Sequence, residues 1–274
     1  MTFFSQSDFK ELSELVYTRF GIHLPPKKKD MVKVRLNKEL RRLGITSFSE
    51  YLDYIRSDVR GNAVSSMINL ITTNHTFFYR EKEHFLYFKE VILPEIKKRV
   101  EKNNRTIRVW SAGCSSGEEP YTLAMLMMDY FGDFYKKLDA GVLATDISSK
   151  VLGVAQKGQY SEQRLSKLPN SLKTKYFFKL PDGTLSVKPE LKKEVLFKRL
   201  NLKNPQFPFK NPFDVIFCRN VMIYFDNAMR KELVEKFYRH LAPEGYFFIG
   251  HSESLRQTET LFSYIRPALY KKNG

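Results

Sequence analysis

Two glutamates stand at a turn where a nucleotide-binding fold usually wants a phosphate. The stretch RVWSAGCSSGEEPYTLAML, from Arg108 to Leu126, reads as an apolar strand, a small-residue turn with Gly113 and Gly117, and a helix with Leu123, Leu126 and Met127 at core spacing. Strand, glycine turn and helix together present backbone N–H groups to a ligand. Glu118 and Glu119 open that helix, and no P-loop lysine follows. A second strand, GVLATDIS, ends at Asp146, an acid placed to accept both hydroxyls of a ribose. A pyrophosphate beside the glutamates would meet like-charge repulsion, which disfavours NAD and FAD. S-adenosylmethionine has ribose and adenine but no phosphate, and carboxylates complement its ammonium and sulfonium. Early acids also complement the helix macrodipole, so the combination with Asp146 is what favours this cofactor.

These residues need a sheet to hold them. FDVIFCRNV is an apolar strand of the parallel, doubly buried type, and its end adds Arg219 to Val221 to the collected strand ends. A helix after Asp226, the strand GYFFIG and an apolar segment near Tyr264 to Tyr270 follow. Strands alternating with helices predict a doubly wound α/β domain. Lys173 to Leu202 departs from that rhythm, with a Pro-Asp-Gly turn and short alternating runs, and reads as a small β-rich excursion. The first 72 residues read as four helices. Phe9, Leu12, Leu15, Val16 and Phe20 form one stripe, and Val32, Leu36, Leu40 and Leu43 a second. Arg35, Lys38 and Arg42 fall on the opposite face of that second helix. Ser47 to Glu50 is a capping box for a third helix, and NAVSSMINLI is the fourth.

A formal charge of +16 over 274 residues points to an acidic partner. Nothing resembles a signal peptide, and no apolar run approaches the roughly 18 residues of a membrane span. Cys114 and Cys218 suggest neither a disulfide framework nor a zinc cluster, and five scattered histidines show no metal-binding motif. A reduced, cytoplasmic protein using no metal is expected.

SAGCSSGEEPYTLAM, TTNHTFFYRE, ATDIS, FCRNVMIYFD and GYFFIGHSES together resemble the chemotaxis receptor glutamate methyltransferase (CheR) family, essentially end to end. The resemblance implies a Rossmann-like S-adenosylmethionine-dependent methyltransferase domain over 73–274, with an N-terminal all-helical receptor-docking domain over 1–72. A three-stranded antiparallel β-subdomain is expected at about 173–200. The implied activity is methyl esterification of glutamates on cytoplasmic chemoreceptor helices, an adjustment of signalling that leaves S-adenosylhomocysteine. Carried over residue by residue, cofactor contacts fall on Asn74, Thr76, Arg80, Ala112, Gly113, Glu118, Glu119, Asp146, Asn201, Leu202, Asn220 and Val221. Which of the two glutamates meets the ammonium stays open. Arg80 and Tyr224 correspond to the residues placed near the reacting methyl.

The chemistry asks little of the protein. A surface glutamate, with pKa about 4.3, is already a nucleophilic carboxylate at neutral pH. Positioning is what remains, with Arg80 able to hold the carboxylate and Tyr224 to orient it. Cys114 and Cys218 read as packing residues, and His251 as a turn residue that organises the site. Arg35, Lys38 and Arg42 suit an acidic receptor helix lying alongside. Some relatives also grip a C-terminal receptor pentapeptide by strand addition; the short KLPDGTLS link between Phe178 and Val187 argues against that tether here. A monomer is the default. Two other readings are a nucleic-acid methyltransferase, which the charge favours but no NPPY-type or PC-type motif supports, and an adaptor that senses the cofactor without turnover.

Overall fold

The computed structural model describes residues 4–59, 61–72, 76–102, 106–255 and 260–274. Four helices come first: α1 (Gln6–Phe20), α2 (Lys29–Leu43), α3 (Phe48–Ser57) and α4 (Asn62–Ile71). Ser5 and Asp8 form a capping box at the head of α1, and Gly21 ends it in the left-handed conformation. At α3, Ser47 accepts the Glu50 N–H, but the Glu50 carboxylate reaches back to Thr46 and not to Ser47. The expected stripes are buried at Phe9, Leu12, Val16, Val32, Leu36 and Leu40, and α3 buries Phe48, Leu52 and Ile55. Leu15, Phe20 and Leu43 pack on the same core while partly exposed.

The face of α2 differs from expectation. Arg35 is not free: its Nη1 donates to the carbonyl oxygens of Leu70, Ile71 and Thr72 at 3.2, 3.1 and 3.3 Å. It therefore caps the carboxyl end of α4, whose last carbonyls lack intrahelical partners. Arg42 is paired with Glu39 through two hydrogen bonds of 2.8 and 2.7 Å. Lys38 is exposed.

The second part begins with α5 (Lys82–Tyr87) and α6 (Leu93–Lys102), joined through a π-helical turn. Then come β1 (Thr106–Ala112), α7 (Glu118–Phe131), β2 (Asp139–Asp146) and α8 (Ser149–Lys157). A small insertion holds β3 (Gln159–Tyr160), α9 (Asn170–Tyr176), β4 (Phe177–Lys179), β5 (Leu185–Val187) and α10 (Pro189–Lys192). The chain closes with β6 (Val195–Arg199), β7 (Phe213–Cys218), α11 (Asn227–His240), β8 (Leu241–Ile249), β9 (Ser263–Arg266) and β10 (Leu269–Lys271). The large sheet has the order β6-β2-β1-β7-β8-β10-β9. Its first five strands are parallel, and β10 runs antiparallel to both β8 and β9.

The antiparallel insertion has the order β3-β5-β4 and starts at Gln159, earlier than the expected 173. Residues 195–199, inside the expected range, belong instead to the large sheet as its edge strand beside β2. The reason is local. β3 is two residues long and leaves no periodic trace, whereas Val195 and Phe197 alternate toward the core that contains α7.

Alternation along β1 decides how the halves join. Ile107 and Val109 face the core of α5 to α7, while Trp110 and Ala112 face a core shared with α1 to α4 and α11. Trp110 is fully buried among Phe207, Phe209, Phe213 and Phe237, and its indole N–H donates to Thr145 Oγ1 at 2.9 Å. The helical domain thus packs against the carboxyl ends of the strands, and its own residues complete the cavity there.

Candidate functional site

Backbone constraint builds the floor of this cavity. Gly113, just past β1, has φ +79°, and a Cβ there would lie 2.3 Å from Val221 Cγ2. Only glycine fits where the turn after β1 meets the turn after β7. The Gly113 and Cys114 N–H groups donate to Thr145 O at 2.7 and 2.9 Å. Asp146 is fixed by N–H donors from both adjoining turns, Ser115 to Oδ2 and Ser148 to Oδ1, each at 2.9 Å. Burial raises its pKa, against the pull of those hydrogen bonds.

Thr76, Arg80, Gly113, Glu119 and Asp146 all line the cavity. So do Asn201, Leu202, Asn220, Val221 and Tyr224. Ala112 is buried in the last position of β1 and supports the turn from beneath. Asn74 lies outside the described residues. Arg35, Lys38 and Arg42 belong to α2 and are not among the residues lining the cavity.

The adjacent glutamates separate. Successive helical residues point about 100° apart, and Glu118 turns away from the cavity to Ser116 and Arg164, fully buried. Glu119 faces the cavity, accepting from Ser111 Oγ at 2.7 Å and from Arg219 Nη1 at 2.9 Å. Burial raises the Glu119 pKa even though Arg219 opposes the shift. Of the pair, Glu119 is the one available to a cation in the cavity.

Arg219 is the hub that sequence reasoning left without a role. Its side chain is 3 % exposed, and it bridges Glu119, Glu81 Oε2 at 3.0 Å, and the carbonyl of Arg80. Burial would raise the Glu81 pKa, but the charge and hydrogen bonds of Arg219, helped by Asn220, hold it below its ordinary value. Glu81 and Tyr79 have φ +56° and +63°, conformations that non-glycine residues adopt at a cost the surrounding bonds must offset. Glu253, in the GHSES stretch, accepts the N–H groups of Asn220 at 2.9 Å and Ile223 at 3.1 Å and so shapes the loop that carries Tyr224. Its signal was an acid beside the assigned His251. His251 contributes through its backbone N–H, 3.4 Å from Glu81 Oε2.

Glu81, His84 and His251 bring three ligand-type atoms within 4.8 Å of one another, with the Glu-x-x-His spacing as the sequence signal. The nearby positive charge is already supplied by Arg219. Burial, then Arg219, lowers the His84 pKa to about 3, so its ring is neutral. Cys114 and Cys218 are buried, and burial with nearby carboxylates pushes both thiols well above their ordinary pKa. They are packing residues, not nucleophiles.

The polar groups fit S-adenosylmethionine. Ser115 Oγ is shielded from solvent and has no hydrogen-bond partner although it stands beside Asp146, as a ribose hydroxyl site requires. A carboxylate that burial pushes toward protonation is one that a ligand ammonium relieves, and Glu119 is such a group.

Comparison with known proteins gives the same answer independently. The all-alpha domain of CheR methyltransferase matches residues 7–72, and the CheR methyltransferase SAM binding domain matches residues 74–270. A chemotaxis protein methyltransferase of Borreliella burgdorferi is 44% identical over 270 residues, covering 98% of this chain and 95% of that protein. One from Escherichia coli is 38% identical over 269 residues, covering 97% and 91%.

Proposed function

The chain belongs to the CheR methyltransferase family, and from that premise we propose that it methylates glutamate side chains on the cytoplasmic helices of chemoreceptors. It acts as a monomer in the cytoplasm. The observation that carries this reading is the composition of the cavity wall. Arg80 and Tyr224 stand there beside Glu119 and Asp146, whose carboxylates are engaged by Ser111, Arg219 and two backbone N–H groups and so are poorly placed to serve as a general base. A nucleophile that arrives already ionised needs none, and a glutamate carboxylate is ionised at neutral pH.

When bound, S-adenosylmethionine supplies a methyl carbon activated by its sulfonium. Asp146 and Ser115 would hold the ribose, and Glu119 the ammonium. Arg80 holds the incoming carboxylate and Tyr224 orients it. Transfer of that methyl to a carboxylate oxygen would require no proton to move, because the acceptor arrives already ionised. A methyl ester and S-adenosylhomocysteine result. Glu119 is held by Ser111 and Arg219, and Asp146 by the Ser115 and Ser148 N–H groups, so these two cavity acids do not compete as acceptors.

Receptor binding without a pentapeptide tether is part of the proposal. The link between β4 and β5 is closed on itself: Leu180 N–H donates to Thr184 O at 2.8 Å, and Asp182 Oδ1 accepts both N–H and Oγ–H of Thr184. No helix among the described residues is long and apolar enough to cross a membrane.

Methyl-tritiated cofactor tests the whole reading. Label transferred to receptor fragments and released by mild base identifies a glutamyl ester. Stable label on nucleic acid would replace this reading with nucleic-acid methylation, and cofactor binding with no transfer would make the chain a sensing adaptor.

A further inference from the structure

The helical domain walls one end of the cavity. Ile68 and Asn69 of α4 and Thr72 just past its end line it together with Ile147, Ser148 and the Leu200–Leu202 turn. Which end they face follows from neighbouring contacts. Ser65, one helical turn before Asn69, accepts from Arg199 Nη2 at 2.9 Å, and Arg199 directly precedes that turn. α4 also packs against α8, whose first residue comes three after Asp146. Asn69, one turn further along α4, lines the cavity together with Asp146, Ile147 and Ser148.

The Asn69 side-chain nitrogen and oxygen are both shielded from solvent, and neither has a hydrogen-bond partner. Shielded polar groups are nearly always paired, so an orphaned amide on a cavity wall calls for a ligand group. It needs a donor and an acceptor side by side. Past the ribose of S-adenosylmethionine lies adenine, whose 6-amine sits next to a ring nitrogen acceptor, and a carboxamide matches that pair with two hydrogen bonds. Ile147, Leu200 and Leu202 supply apolar surface for the ring faces. The polar position is also visible in the sequence, as the single amide inside the apolar run MINLI.

We propose that Asn69 reads the adenine edge of the cofactor, so that the helical domain supplies the base-specific contact. This rests on the cofactor reading above and deepens it. Cofactor binding then ties α4 to the strand ends, and the helical domain does more than meet the receptor.

Calorimetric titration of the full chain with S-adenosylhomocysteine and with its 6-deamino purine analogue tests this. The wild type should prefer the adenine ligand by about tenfold, the scale of one hydrogen bond. In Asn69→Ala that preference should fall to within about twofold. Asn69→Leu, which keeps the volume without polar atoms, gives the same readout should the alanine variant be unstable. Glu119→Gln should weaken both ligands alike and keep the ratio. A preference that survives in both Asn69 variants overturns the proposal and leaves the cofactor reading standing. So does a wild type that binds both ligands equally, or a folded Asn69 variant that binds neither. If the wild type binds neither ligand, the cofactor reading itself fails and this inference with it.

Discussion

The cofactor cavity and the basic face of α2 are both rich in charge, and they hold it in opposite ways. In the cavity, Glu81, Glu119 and Arg219 are nearly out of solvent and fix one another, with Ser111 and Asn220 taking remaining positions. On α2 the arginines serve the helices themselves, Arg35 capping α4 and Arg42 holding Glu39, while Lys38 stays in water. A buried charge is worth what its partners make it, and losing one partner leaves the others exposed to the full cost of desolvation. A surface charge is worth little to stability and keeps its value for encounter. Substitutions should therefore act through folding and affinity in the first region, and through association in the second.

The largest effect is expected at Arg219. Arg219→Met keeps an unbranched stem without the guanidinium and strands Glu81 and Glu119, and should destabilise the fold by about 3–5 kcal/mol. Urea denaturation checks this, and a variant as stable as the wild type would show the hub to be less buried in function than in structure. Next come the residues at the reacting end. Arg80→Ala should lower single-turnover methylation by roughly 10–100-fold, as loss of positioning does, and Tyr224→Phe by less. Receptor binding should change little in either. Wild-type rates in both would make these side chains structural.

The two glutamates sharpen the comparison inside one region. Glu119→Gln should weaken S-adenosylhomocysteine binding by about 1.5–3 kcal/mol, the worth of a charged hydrogen bond. Glu118→Gln should instead lower the melting temperature, since its partners are Arg164 and Ser116, and should leave affinity nearly unchanged. Equal affinity losses would return the pair to the ambiguity of the sequence. The pH dependence follows from the same geometry. Burial raises the Glu119 pKa above 4.5 and the Asp146 pKa above 3.8, so both protonate earlier than ordinary carboxylates as pH falls. Cofactor affinity should therefore be full near neutrality and should decline on acidification above the usual carboxylate range, measured by titration at stepped pH.

Most of the cavity was legible because a parallel sheet converts chain position into spatial position. Strand ends gather at one edge, so Gly113, Asp146 and Asn220 could be placed together from three separate motifs. What sequence did not show were partners that depend on side-chain direction. Glu118 and Glu119 are neighbours in every linear pattern, and only the helix phase separates them. Arg35 fits a free polar stripe at helical spacing, yet its acceptors lie 35 to 37 residues further on. The β-insertion was mislocated for a related reason, since a two-residue strand has no period to detect.

The smallest expected effect concerns α2, and it decides whether the helical domain docks by charge at all. Arg35→Ala should cost roughly 1 kcal/mol by removing hydrogen bonds from the end of α4, with the receptor KM affected only through that loss. Reversing Arg35 would thus confuse folding with docking. Lys38→Glu and Arg42→Glu are cleaner, because both positions are exposed and neither supports another helix. Together they should raise the apparent KM for receptor fragments several-fold, with cofactor affinity unchanged. Wild-type methylation should fall with added salt over the range where the Debye length shrinks from about 10 to about 3 Å. The doubly reversed variant, having lost the attraction, should show a shallower salt dependence. If KM and salt slope stay as in the wild type while removal of the receptor's C-terminal peptide abolishes methylation, docking lies with the edge of the β-insertion and not with α2.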